Sequence, residues 1–156
     1  MELQGVINGC RAVEEDVATV YMTFADLFPN EKAFWQDLYT DELEHSFWMS
    51  EGGRADAIEL LPSESLLPSL ESIVKTLEFV RGTFRRVKSS AITLEEALRL
   101  ALQIEESMVE TFTNELSANL FASNYQSLNE RIIAAEKQHV RKIEDMMISR
   151  GFLLMS

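Results

Sequence analysis

Apolar residues recur at three- and four-residue intervals along almost the whole chain, the spacing of one face of an α-helix, and no stretch alternates apolar with polar positions as a strand would. Breakers divide the pattern into five amphipathic stretches. The first predicts a helix from about Val6 to Phe28, closed by Pro29-Asn30, and the second a helix from about Glu31 to Glu51, closed by Gly52-Gly53. Their connection is short, so the two are expected to run antiparallel. "RADAIELLPSESLLPS" follows as a linker punctuated by Pro62 and Pro68, leading to a helix from about Ser69 to Val87. The next helix opens at Thr93, where "TLEE" has the form of a capping box with Glu96, and is expected to reach about Ala118. The last runs from about Ser127 to Arg150, where Gly151 stops it.

Two antiparallel hairpins joined by a long connection predict an all-α protein: a four-helix bundle of the ferritin-like kind, with an additional helix in the crossover. An internal repeat points the same way. Glu14, Tyr21, Glu42 and His45 in the first hairpin are matched in order by Glu105, Phe112, Glu136 and His139 in the second. In both halves the glutamate leads its aromatic partner by seven residues. At 156 residues, 46% of them hydrophobic and with only six Gly and three Pro, the chain is expected to form one domain over residues 1–156 with a continuous core.

The chemistry gathers at the two histidines, each of which stands three residues after a glutamate: Glu42 with His45, and Glu136 with His139. On a helix that spacing converges a carboxylate and an imidazole on one face. Helical periodicity turns Glu105 inward with Ala101, Leu102, Met108 and Phe112, and turns Glu106 outward with Gln103 and Glu110. The same test favours Glu14, in line with Val17, Ala18, Tyr21 and Phe24, over Glu15, although the choice between them is less sharp. Glu42, His45, Glu136 and His139 also fall on apolar faces. Four buried carboxylates would oppose folding by several kcal/mol each unless cations neutralise them. Two divalent ions balance that charge, and oxygen-rich ligation with one imidazole per ion suits iron or manganese better than structural zinc.

"AVEEDVATVYMTFADLFP", "FWQDLYTDELEHSFWM", "ALQIEESMVETF" and "AAEKQHVRKIEDMM" together resemble the ferritin-like di-iron domain of rubrerythrins, over nearly the whole chain. The resemblance implies Glu14, Glu42, Glu105 and Glu136 as carboxylate ligands, two of them bridging, and His45 and His139 as terminal ligands of two iron ions, with manganese or a mixed pair as the variant. It also implies a peroxidase-like oxidoreductase that reduces hydrogen peroxide. The chain lacks the cysteines of the rubredoxin-type Cys₄ domain, so electrons would come from an external donor protein. Met108 stands where rubrerythrins carry an extra carboxylate, which brings the ligand set nearer the symmetric one of bacterioferritins. That symmetry motivates an alternative, a ferroxidase acting on Fe(II) with dioxygen. A metal-binding module without turnover is a third reading.

A net charge of −12 argues against nucleic acid or an anionic membrane as partner and suits a cation-binding protein. The single cysteine, Cys10, excludes an intrachain disulfide and fits a reducing compartment. With no apolar segment of membrane-spanning length and no signal-peptide pattern at the start, a cytoplasmic protein is expected. Cys10 reads as a small core residue rather than a ligand, and Tyr21 and Tyr39 as packing rather than as groups supporting the metal. Trp35, Trp48, Phe34 and the seven methionines read as core or dimer contacts, the apolar surface suggested by Trp35, Trp48 and the Met-rich end "MMISRGFLLM" points to a homodimer, and "RGTFRRVK" reads as the solvated face of the crossover helix.

Overall fold

The computed structural model describes residues 2–51, 68–107 and 128–154, and within these the side chains of residues 2–4, 45, 47–51 and 128–138 lie outside the description. All regular structure among the described residues is helical: α1 (Glu2–Leu27), a 3₁₀ turn (Pro29–Glu31), α2 (Lys32–Glu51), α3 (Leu70–Ser89), α4 (Leu94–Glu105) and α5 (Leu128–Ser149). The expected stop at Gly52-Gly53, the linker's Pro62 and the expected start at Ser127 lie outside the described residues.

Pro29 opens the turn because its fixed φ suits a helical start and its missing N–H is not needed there. The chain reverses within those three residues, and α1 packs along α2. Rings lock the pair: Trp35 lies 4.8 Å from Phe24, 4.9 Å from Phe34 and 5.9 Å from Tyr21, centroid to centroid. Trp35 is fully buried in this chain's own core, as is Met147, so neither adds to the apolar surface from which a homodimer was expected. Trp48 lies outside the described side chains.

α3 packs across α1 at close range. A Cβ built on Gly9 would meet Cγ2 of Ile73 at 2.8 Å, so glycine here lets the two helices approach. Arg81 of α3 also donates to Asp16 of α1 at 2.8 Å, and Arg86 donates to Glu96 at 2.8 Å. The basic run thus pairs with acidic neighbours at the surface.

Thr93 caps α4 as expected: its hydroxyl accepts from the Glu96 N–H, and the Glu96 carboxylate accepts from the Thr93 N–H. The Thr93 N–H and then the Thr93 hydroxyl, both donating to the Glu96 carboxylate, hold that carboxyl below its ordinary range. The expectation of a regular helix to Ala118 needs correction, because α4 ends at Glu105. Glu106 adopts φ −87° and ψ 0°, and the Ser107 N–H turns to the Ile104 carbonyl, tightening the last turn to i→i−3 bonds. Residues 108–118 lie outside the described residues.

α5 packs on α4 and closes at Gly151, whose φ of +79° allows the Gly151 N–H to reach Ile148 O and the Phe152 N–H to reach Met147 O. Arg150 donates to Glu31 in the first turn at 2.8 Å, while His139 lies against Asp41. The residue numbers descend on one helix as they rise on the other, so α5 runs antiparallel to α2. No described helix is long and apolar enough to cross a membrane.

Candidate metal centre

Four helices deliver acidic or imidazole side chains to the interior. Glu14 of α1 and Glu42 of α2 are fully buried, Glu105 of α4 is 2% exposed and His139 of α5 is 3% exposed. Their neighbours confirm the helical phase: Glu15 is exposed and pairs with Arg11, and Glu106 is exposed beyond the end of α4. Glu14, rather than Glu15, is therefore the inward residue.

Glu42, Glu105 and His139 come together, with one ligating atom from each lying within 4.8 Å of the others. His139 Nδ1 is 2.9 Å from Glu105 Oε1 and 3.9 Å from Glu42 Oε1. Metal–donor bonds of about 2 Å place the ligands of one ion roughly 3–4 Å apart, so small movements would seat an ion among these three. Two carboxylates and an imidazole nitrogen are a donor set that could hold a metal ion. His45 and Glu136 lie on α2 and α5, but their side chains are outside those described.

Two further residues complete the arrangement. The other nitrogen of His139, Nε2, lies 2.9 Å from Asp41 Oδ2, which fixes the ring so that Nδ1 points to the cluster. The Tyr21 hydroxyl donates to Glu105 Oε2 at 2.6 Å and leaves Oε1 toward His139. Tyr21 is thus more than packing, although its ring also lies against Trp35. Tyr39 is half-buried against the core, as expected.

With carboxylates at both ring nitrogens, each nitrogen is satisfied only by carrying a proton. Burial works against that charge, but the adjoining Glu105 carboxylate and the bonds to Asp41 and Glu105 outweigh it and push the His139 value up to about 10. The imidazolium therefore brings one positive charge to a region holding three buried carboxyl groups. Cys10 is buried one turn before Glu14; burial, and then the charge of Glu14, push its thiol up to about 12, which keeps it protonated and a poor ligand.

Periodicity alone does not find Asp41. It sits one residue before Glu42, about 100° around α2, and its role appears only when α5 is brought alongside. The available signal was an acidic residue preceding one ExxH and not the other, where Ala135 stands. No protein-family model matches the chain, and neither a curated protein nor a solved structure matches it.

Proposed function

We propose that the chain is a rubrerythrin-like protein of the ferritin-like di-iron superfamily, a four-helix bundle that holds two iron ions and reduces hydrogen peroxide with electrons from an external donor protein. The observation that carries this reading is the buried convergence of Glu42, Glu105 and His139 from three helices, with Asp41 behind the histidine. The internal repeat extends it to Glu14, His45 and Glu136 as the remaining ligands. When bound, a pair of such ions supplies two electrons to a peroxide in one event.

The chain's own residues bind and orient. Glu42, Glu105 and His139 offer charge and donor atoms, and Tyr21 holds Glu105 through its second oxygen. The surrounding apolar side chains, among them Leu38, Ile104 and Ile143, are fully buried, which favours a dry interior.

The test is anaerobic loading of the metal-free protein with Fe(II), removal of excess, and rapid mixing with peroxide or with dioxygen. About two ions per chain are expected, as this ligand set implies, with peroxide the faster oxidant. His139→Ala should lower the iron content while the helical spectrum persists. Faster reaction with dioxygen, with iron leaving after each oxidation, would replace this reading by the ferroxidase one, and full iron occupancy in His139→Ala would refute the ligand assignment.

A further inference from the structure

Of the five side chains joined around the cluster, Glu42, Glu105, His139 and Tyr21 are buried, whereas the Asp41 side chain is 31% exposed while its Oδ2 lies 2.9 Å from His139 Nε2. Asp41 therefore has one side in water and the other on a member of the cluster. The same oxygen lies 3.9 Å from Lys142 Nζ, and the Lys142 side chain is 35% exposed. Asp41 immediately precedes Glu42 on α2, and Lys142 follows His139 by three residues on α5. Each charge at this opening is thus carried by a helix that also delivers a buried member of the cluster.

Resting on the metal-binding reading above, we propose that Asp41 and Lys142 form the entry gate of the cluster: Asp41 is the carboxylate on which an incoming divalent cation lands, and Lys142 is the counter-charge that slows passage in both directions. The net charge of −12 draws cations toward the surface as a whole. At Asp41 a hydrated cation exchanges water for a carboxylate oxygen before it leaves solvent, and Glu42 and His139 then take it over. The Lys142 ammonium competes for the same oxygen and repels a second positive charge there. A partly exposed pair of this kind contributes little to stability, so it can open for each passage. A group that acts only at the opening changes entry and exit together and leaves the affinity nearly constant, whereas one that acts on the bound ion changes the affinity.

Mn(II) mixed rapidly with the metal-free full chain at low salt, with the free ion read by its paramagnetic resonance signal in freeze-quenched samples, gives the entry rate. Mixing the loaded protein with excess chelator gives the exit rate. Lys142→Gln should raise both rates by roughly three- to tenfold, the order expected for removing a unit charge a few ångströms from a divalent ion in water, with little change in Kd. Lys142→Arg should keep the wild-type rates, and added salt should shrink the difference between Lys142→Gln and the wild type. Asp41→Asn, which keeps an oxygen for the Nε2–H, should slow entry by about tenfold, as loss of a steering charge does. Circular dichroism of each variant separates these changes from misfolding. Unchanged entry in Lys142→Gln, or a gain in affinity as large as its gain in entry rate, would overturn the gate and leave the metal-binding reading standing. Retention of no Mn(II) by the wild type would remove that reading and the gate together.

Discussion

The two helix pairs, α1–α2 and α4–α5, are stabilised differently. The α1–α2 pair is closed by a three-residue turn and locked by the rings of Tyr21, Phe24, Phe34 and Trp35 within an otherwise aliphatic core. The α4–α5 pair presents Glu105 from the last residue of α4 and His139 from α5, and their position is completed by polar contacts from α1 and α2. An aromatic frame that needs no ion thus supports a polar cluster whose own charges oppose burial. Rigidity is placed where apolar contacts supply it without a charge penalty, and is exported to Glu105 and His139 through two hydrogen bonds.

The sharpest way to break this contrast is Trp35→Ala. Truncating a fully buried tryptophan should cost about 3–5 kcal/mol, read as a fall in the urea midpoint, and should also loosen the cluster through Tyr21. The second test uses pH on the metal-free protein. The folded value of His139, about 10, lies above its ordinary 6.5, so the proton favours the folded state. That contribution is complete below about pH 6.5 and is lost as pH rises toward 10, so stability should fall across this interval and His139→Gln should flatten the profile. Tyr21→Phe keeps the ring packing and removes the donor to Glu105; a loss of about 1–3 kcal/mol by denaturant titration would show how much of the frame's effect passes through that hydroxyl. The smallest effect is expected at Thr93→Ala, about 1 kcal/mol by the same measurement, because it frees the start of α4, away from the cluster.

Much of this was legible along the chain because helices announce themselves locally. Pro29, the Thr93–Glu96 box and Gly151 act within a few residues of themselves, and 3.6-residue periodicity separates Glu14 from Glu15 and Glu105 from Glu106. What a single helix's pattern does not contain is the distance to another helix. Asp41 sits on α2 with no apolar phase to mark it, and the close approach of Gly9 to Ile73 depends on how α3 crosses α1. Apolarity also does not say whose core a residue enters, which is why Trp35 read as either a core or a dimer contact and only the fold assigns it to this chain's interior. The early end of α4 carries no Pro or Gly signal at all.

The ring cluster around Trp35 has an optical consequence. Its indole is shielded from water, and Nε1 meets no hydrogen-bond acceptor among the described residues, a setting that shifts tryptophan emission to the blue. Tyr21, 5.9 Å away, is close enough to pass its excitation to that indole while its hydroxyl touches Glu105. A change at Glu105 that alters Tyr21 is therefore expected to show in the tyrosine-excited emission of the buried indole, read above the emission of Trp48.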